Sequence, residues 1–346
     1  MNVYRLTIEP YSAFRTPLQS DTIFGHLLWA LRYTAGQEGN AALEKFLGHY
    51  RSGEPPLLVS AGFPANTLPV PVLEQLPPDP TKSIADRTVA DLLRKVRQEL
   101  DYLPLSYWND LASKVSSRNL ENARKKLQQA LEKDDFYDYR RQRKVQAITR
   151  TAVDRITGSG RDGRLFVAEE TFYGRPVDRP DWPPARFDVW HKLDEEQVSP
   201  TDVQKWWHWI ERNGFGKRKS TGAGAFKIVR DLEPAAGELP QVDQPNGFVS
   251  LSAWVPAIND PLKVSYKTRV KRGKLAEQYA IPGLEHGPWK KPLLMLAPGA
   301  LARLPAGEAV REWYGQLVED MHWTRKGIVQ YGYGFPLGVC LVKEKK

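Results

Sequence analysis

Residues 214–226, GFGKRKSTGAGAF, place four glycines, three consecutive basic residues and two hydroxyl side chains between a helical pattern and a strand pattern. Glycine tolerates positive φ and lets a second backbone approach closely, because it carries no Cβ. Successive N–H groups in such a turn can converge on one anion, as in anion-binding nests. The segment therefore predicts a tight helix–loop–strand connection that holds phosphates. The alternative is a solvated turn whose glycines only shorten the connection.

The flanks of this segment define its place in the fold. Ser199 is a candidate N-cap, Pro200 suits the first helical position, and Asn213-Gly214 ends the predicted helix. Residues 225–230 then alternate as a strand. A Walker-type nucleotide loop has the reverse order, since it follows a strand and precedes a helix. We therefore do not expect ATP to bind here.

The start of the chain mirrors this arrangement. Residues 2–8 alternate as a strand with one buried face, and Ser20 is a candidate N-cap for a helix with an apolar stripe from Ile23 to Leu31. A unit that opens with strand and helix and closes with helix and strand is typical of a ferredoxin-like sandwich. We expect this domain in residues 1–232, with a helical insertion at about 35–140 that includes patterns at 84–100 and 118–133.

The second half repeats the plan with weaker signals. Residues 233–247 are rich in Pro, Gly and polar residues and predict a linker. We expect a second ferredoxin-like domain in 248–346, which makes the fold class α+β. In 262–271 apolar and cationic residues alternate, so one strand face should be apolar and the other cationic. The remaining predicted elements are strands at 249–254, 292–297 and 330–342 and a helix at 307–320.

Positive charge is concentrated in three segments. Residues 140–164 carry net +6, residues 214–230 net +5 and residues 263–274 net +6, whereas the whole chain of 346 residues carries +9. The remainder is therefore acidic, at −8. Concentrated basic segments on an acidic body are typical of a polyanion-binding protein. For any single segment, a solvated loop is about as good an interpretation.

No apolar run is long enough to span a membrane, and the N-terminal residues lack a signal pattern, so we expect a cytoplasmic protein with no membrane partner. Cys340 is the only cysteine and has no disulfide partner within the chain.

Four motifs together resemble one protein family. The pattern in 214–224 resembles the glycine-rich loop of the RAMP superfamily of CRISPR proteins. Residues 20–31 (SDTIFGHLLWAL), 150–166 (RTAVDRITGSGRDGRLF) and 331–339 (YGYGFPLGV) are similar to the fourth subunit of the Csm complex, the type III-A effector. The resemblance spans most of the chain, with no specific motif between about 35 and 140.

The resemblance implies a non-catalytic, RNA-binding subunit with two ferredoxin-like domains. Such a subunit anchors the 5′ handle of the crRNA, docks on the large polymerase-domain subunit beside a RAMP backbone subunit, and meets target RNA only indirectly. It also implies that residues 141–180 form a hairpin that reaches over the guide. The candidate RNA-binding residues are Ser20, His26, Arg150, Arg155, Gly214, Gly216, Lys217, Arg218, Lys219, Ser220, Thr221, Gly222, Gly224, Lys267, Arg269 and Lys271.

Catalysis is the alternative function. Some RAMP relatives process precursor crRNA with a histidine as general base, and His26 is the candidate here. A hydrogen bond from His26 to RNA or to a neighbouring subunit is the competing interpretation. The six histidines and the lone cysteine form no metal-binding motif, so we expect neither a metal nor a cofactor. Asp21 is interpreted as a helix-dipole carboxylate or as a lone acid near RNA.

Overall fold

The structure, a computed structural model, describes residues 1–73, 88, 92, 99–133, 136–153, 156–157, 160–276, 280 and 287–342. Helices and strands are mixed along the chain, which confirms the α+β class. The helices are α1 (Ser20–Thr34), α2 (Gly39–Arg51), α3 (Leu105–Ala112), α4 (Ser117–Glu132) and α5 (Pro200–Asn213).

The strands of the first half are β1 (Asn2–Pro10), β2 (Leu57–Val59), β3 (Phe63–Pro64), β4 (Thr67–Pro69), β5 (Tyr102–Pro104), β6 (Arg143–Val153), β7 (Gly160–Tyr173), β8 (Phe187–Leu193) and β9 (Phe226–Pro234). Those of the second half are β10 (Gly247–Ser250), β11 (Val264–Ser265), β12 (Thr268–Lys271), β13 (Leu293–Leu296), β14 (Leu301–Arg303), β15 (Tyr314–Val318), β16 (Gln330–Gly334) and β17 (Pro336–Val339).

An antiparallel sheet in the order β2-β8-β1-β9 organises the first half, and β3 also pairs with β8. One face of β1 contributes Tyr4, Leu6 and Ile8 to a core that includes apolar residues of α1 and α5. The other face is buried as well, contrary to the predicted single buried face. Arg5 and Thr7 there bind Asp188 of β8, at 2.7 Å each. Paired polar groups allow this burial because each charge keeps a partner.

The two helices that flank this sheet begin differently from each other. At α5 the Ser199 hydroxyl accepts a hydrogen bond from the Asp202 N–H at 3.1 Å, as the capping pattern predicts. At α1 the predicted cap is wrong, because Gln19 is the N-cap and Ser20 is the first helical residue. The Ser20 hydroxyl is buried and accepts a hydrogen bond from the Ala253 N–H at 3.1 Å. Ser20 therefore joins α1 to the second half.

The structure describes two of the segments predicted within the first half. The predicted helix at 118–133 is α4, and the predicted hairpin at 141–180 contains the antiparallel pair β6 and β7. The predicted helix at 84–100 lies almost wholly outside the described residues.

The elements that the structure describes in the second half are strands: β11-β14-β10-β17 form one sheet, and β12-β13 and β15-β16 form separate pairs. The predicted helix at 307–320 is wrong, since β15 pairs with β16 along its whole length. Gly315 has φ of +83° there, and a Cβ on it would lie 2.2 Å from the Gly332 carbonyl oxygen. Pairing with a distant strand thus overrides the helical spacing of Tyr314 and Leu317.

One hydrophobic core runs through both halves. Tyr331 of β16 stacks on Phe24 of α1 with ring centroids 4.4 Å apart. The Tyr333 hydroxyl donates to the Tyr50 carbonyl at 2.8 Å, and the Val59 N–H donates to the Tyr331 hydroxyl at 3.2 Å. The predicted linker is also packed, because Glu238 binds Arg5 and Arg230.

Candidate nucleic-acid interface

The glycine-rich loop adopts the backbone conformation that its composition predicts. Gly214, Gly216, Gly222 and Gly224 have φ of +77°, +77°, +83° and +74°, and Arg218 has φ of +62°. A Cβ on Gly224 would lie only 1.8 Å from the Phe215 carbonyl oxygen. The glycines therefore permit both positive φ and the close approach of two backbone segments.

Helix α1 and the segment that follows β1 anchor this loop. The Gly224 N–H donates to the Ala13 carbonyl at 2.8 Å, and the Phe215 N–H donates to the Gly224 carbonyl at 2.9 Å. The Gly216 N–H donates to His26 Nε2, and the Lys217 N–H donates to Thr16 Oγ1, each at 3.0 Å. These contacts fix the loop between α1 and the segment that follows β1.

The four glycine N–H groups do not form the predicted anion-binding nest, because each donates to an acceptor within the protein. Besides Gly216 and Gly224, the Gly214 N–H donates to the Ile210 carbonyl at 2.7 Å and the Gly222 N–H to the Lys219 carbonyl at 3.1 Å. Because all four glycine amides have protein acceptors, these amides are not available to a phosphate in this conformation. Lys217, Arg218, Ser220 and Thr221 are exposed.

Lys219 differs from its neighbours in the basic run. Its Nζ lies 5.6 Å from the ring centroid of Trp209 on α5, and its backbone is in a short 3₁₀ turn, Lys219–Thr221. This cation–π contact holds the ammonium against the protein. Lys217 and Arg218 are therefore the loop cations best placed to meet a ligand.

His26 supports the loop from α1. Its ring packs on Phe215 with centroids 4.7 Å apart, and its Nε2 is used as the acceptor for the Gly216 N–H. Desolvation, together with the nearby Lys219 ammonium, lowers the pKa of His26 to about 3. A weakly basic imidazole whose lone pair is already bonded is poorly suited to take a proton from RNA. The geometry favours a positioning role for His26.

We expect His26→Gln to reduce the acid sensitivity of the protein. The unfolded chain binds a proton at His26 near pH 6.5, whereas the folded chain does so only near the lowered pKa of about 3. Unfolding therefore becomes easier as pH falls from about 6.5 towards 3. Urea denaturation of both proteins at pH 7.5 and pH 5 measures this. The wild type should lose more stability than the variant, and equal losses would show that His26 is not held neutral. His191, whose pKa burial likewise lowers to about 3, is the same in both proteins.

A groove of about 1100 Å³ adjoins the loop at Thr16. Its walls come from the hairpin base, from α4 and from the second half. Aromatic side chains line it, among them Tyr102 and Tyr139, whose rings pack edge to face at 5.2 Å. Cationic residues outnumber acidic ones: Arg15, Arg124, Arg140, Arg143, Arg186, Lys267 and Arg269 against Glu99, Asp101, Glu121 and Glu169.

The sequence did not predict this groove, because its lining residues are distributed over elements far apart in the chain. Thr16 follows β1, Arg143 begins β6, and Lys267 precedes β12. A partial signal was present in α4, where the lining residues 117, 120, 121 and 124 have the spacing of one helical face.

Of the candidate residues outside the loop, Lys267 and Arg269 line the groove. Lys267 is exposed and lies 3.8 Å from Asp101, whereas Arg269 donates to the Gln19 side chain. Arg150 is on β6 opposite Phe166, with no description of its side chain, and Arg155 lies outside the described residues.

Two candidate residues are in the wrong environment for RNA contact. Ser20 is fully buried under the second half. Lys271 Nζ forms an ion pair with Asp21 at 2.5 Å and donates to Thr22 Oγ1 at 2.7 Å. Asp21 is thus the partner of a lysine and not a lone acid near RNA.

Residues 262–271, predicted as one strand with an apolar and a cationic face, do not form a single strand. Arg269 and Lys271 face the body of the protein, while Tyr266 and Val270 are exposed. The chain also divides there into β11 and β12, which pair with β14 and β13 respectively. Arg269 and Lys271 bind acceptors at the start of α1, and the alternation of residues alone does not predict these contacts.

Within the described ranges, no helix combines the length and apolar character needed to cross a membrane. The same ranges contain no cluster of three His, Cys, Asp or Glu residues arranged to hold a metal ion.

No family model matches the chain, and no curated protein matches its sequence. Solved structures do match. A chain in the crystal structure of a Csm1–Csm4 cassette in complex with cA4 is 16% identical with a TM-score of 0.52, over 99% of this chain and 100% of that one. A chain in the Csm3–Csm4 subcomplex of the type III-A CRISPR–Cas interference complex is 14% identical with a TM-score of 0.53, over 95% and 99%. At the level of fold, the resemblance that the motifs indicate is confirmed.

Proposed function

We propose that this chain is a non-catalytic RNA-anchoring subunit of a type III-A CRISPR effector that acts in the cytoplasm in antiviral defence. The exposed Lys217 and Arg218, in a loop whose backbone is fixed at one end of a cationic groove, carry this proposal. The fold shared with chains of Csm1–Csm4 and Csm3–Csm4 structures supports it. By that likeness, its neighbours are a large polymerase-domain subunit of the Csm1 type and a Csm3-type backbone subunit.

The ligand in this proposal is the 5′ handle of the crRNA. A handle is largely single-stranded, and cationic side chains along a groove hold such a strand through its phosphates. The loop would bind one part of the handle, and the groove beyond Thr16 would take the adjoining nucleotides under the hairpin β6–β7. Target RNA would be met only through the guide.

The domain division belongs to the same proposal. In residues 1–232 the order β1-α1-β2-β8-α5-β9, with the sheet order β2-β8-β1-β9, supports a ferredoxin-like domain. Residues 233–247 connect it to a second domain at 248–346. We propose that the second domain is a ferredoxin-like unit reduced to its sheet, since its described residues form strands and no α-helix.

We expect Lys217→Gln/Arg218→Gln to weaken handle binding and to reduce its salt dependence. The slope of log K against log salt is negative, and removing one phosphate interaction with a single strand reduces its magnitude by about 0.7. Removing two should reduce it by about 1.4. Fluorescence anisotropy with labelled handle RNA at several salt concentrations measures both effects. Lys125→Gln/Lys126→Gln removes the same charge from the exposed side of α4 and is the matched control.

Two outcomes would contradict the proposal. One is an unchanged affinity and slope in the loop variant, which would remove the loop from the RNA site. The other is metal-independent cleavage of repeat-containing RNA that is lost in His26→Ala, because that result would make the chain an endoribonuclease. Intact RNA and co-purification with the neighbouring effector subunits are the expected results.

A further inference from the structure

The insertion helix α4 forms one wall of the groove, although its region matches no family motif. Ser117, Leu120, Glu121 and Arg124 line the groove from this helix. Their spacing places them on one helical face, and the helix is fixed by the Ser116 side chain, which accepts a hydrogen bond from the Asn119 N–H at 3.2 Å. The insertion is therefore part of the same site as the loop.

Arg124 is the cationic group that α4 contributes to the groove, and its Nε lacks an acceptor among the described residues. Its Nε is buried with no hydrogen-bond partner there, and the guanidinium forms no ion pair with any described residue. Burial lowers the pKa of Arg124, while Glu121, Asp101 and Tyr139 are the groups near it that oppose this shift. A buried guanidinium N–H without an acceptor is unfavourable in the free protein. Such an arrangement is typical of a group that is satisfied by a ligand.

The surroundings of Arg124 fit a phosphate group. Guanidinium groups bind phosphate oxygens with two parallel N–H donors. Arg143, at the start of the hairpin, is a second groove cation without an ion pair to a described residue. Burial raises the pKa of Tyr102 and Tyr173, and the nearby Arg143 charge opposes that rise. Other groove cations are already bound, as Arg15 is to Glu170 and Arg140 to Asp138.

We propose that Arg124 on the insertion helix contacts a backbone phosphate of the RNA strand that leaves the glycine-rich loop through this groove. The proposal rests on the function proposed above and adds the insertion to the RNA site. Thr16 connects the two parts, because it lines the groove and also accepts the hydrogen bond from the Lys217 N–H. A strand held at the loop thus has a continuous path to Arg124.

The test compares Arg124→Gln with Lys126→Gln in the full-length protein, by anisotropy with labelled handle RNA over a range of salt concentrations. Lys126 is exposed on the same helix and does not line the groove. Arg124→Gln should weaken binding roughly tenfold and lower the salt slope by about 0.7, as expected for one phosphate contact. Lys126→Gln should stay within about twofold of the wild type with the same slope. The melting temperature of Arg124→Gln should be unchanged or higher, since an unsatisfied donor is removed.

Each outcome has one meaning. If Arg124→Gln and Lys126→Gln bind handle RNA with the same affinity and salt slope while Lys217→Gln/Arg218→Gln loses affinity, the inference about α4 is wrong. The proposed function then stands. If the wild type shows no salt-dependent binding of handle RNA, the proposed function itself fails. If Arg124→Gln is unstable, Arg124→Lys gives the second readout, because restored slope supports the phosphate contact and an unrestored slope contradicts it. If polyglutamate displaces labelled handle RNA as well as unlabelled handle RNA does, the α4 wall binds an acidic protein and the inference is overturned.

Discussion

Gly224→Ala should destabilise the protein by roughly 3 kcal/mol and abolish handle binding. Positive φ costs an L-residue about 1–2 kcal/mol, and forcing a methyl group into a packed site costs about 1–3 kcal/mol more. Gly224 has φ of +74°, and its new Cβ would lie 1.8 Å from the Phe215 carbonyl oxygen. That oxygen is backbone, so the loop itself has to move. Urea denaturation and RNA anisotropy measure the two effects.

Gly222→Ala is the matched control for this variant. Gly222 has φ of +83°, yet no atom lies within 4 Å of the position its Cβ would take. The substitution therefore adds the backbone strain without the collision, and we expect a loss of about 1 kcal/mol. Equal destabilisation in the two variants would contradict the proposed role of close backbone approach at Gly224.

We expect Asp21→Asn to destabilise the protein by about 3 kcal/mol at pH 7, because removal of one partner from a buried ion pair leaves an uncompensated charge. Asp21 Oδ2 lies 2.5 Å from Lys271 Nζ and accepts a hydrogen bond from Gln330 Nε2 at 2.8 Å. Lys290 Nζ, close by, donates to the Val329 carbonyl at 2.6 Å. The variant would remove the carboxylate that binds Lys271 and that lies near Lys290.

The effect of Asp21→Asn should depend on pH in a defined direction. Burial lowers the pKa of Lys290 to about 8, and the Asp21 carboxylate limits that shift. A lowered lysine pKa means that the unfolded chain binds more protons between about pH 8 and 10.5, so stability from this group rises with pH there. Without Asp21 the pKa of Lys290 falls further, so the rise in stability with pH begins at a lower pH. The difference in unfolding free energy between wild type and variant should therefore become smaller between pH 7 and pH 9.5. Chemical denaturation at these two pH values measures it.

An exposed ion pair provides the contrast for Asp21→Asn. Glu319 lies 2.9 Å from Arg51 Nε, and its side chain is 55% exposed. Glu319→Gln should cost less than about 1 kcal/mol, because water screens such pairs. If the two variants cost the same, the cluster around Asp21 is not effectively buried.

Local signals in the sequence predicted the local features of the first half. The cap at Ser199, the helix end at Gly214 and the positive φ of the loop glycines each depend on a few adjacent residues. The strand pattern of β1 and the helix α4 depend on periodicity within one element. Features of this kind are determined within a short segment, which is why they could be predicted.

Long-range contacts account for the errors. Ser20 has a good capping side chain, but the Ala253 N–H competes for it. Lys271 lies in a basic run, but a carboxylate 250 residues earlier in the chain holds it. Tyr314 and Leu317 have helical spacing, but β16 pairs with that segment. None of these partners is visible from the local pattern, and the groove is missed for the same reason.

The first two turns of α1 touch both regions that matter for the proposed function. Ser20, Asp21 and Phe24 hold residues of the second half, and His26, two positions further on, holds the glycine-rich loop. The helix α1 thus sets the distance between the second half and the glycine-rich loop. In the proposed function, a partner protein bound to the second half would therefore influence, through α1, where the first nucleotides of the handle lie.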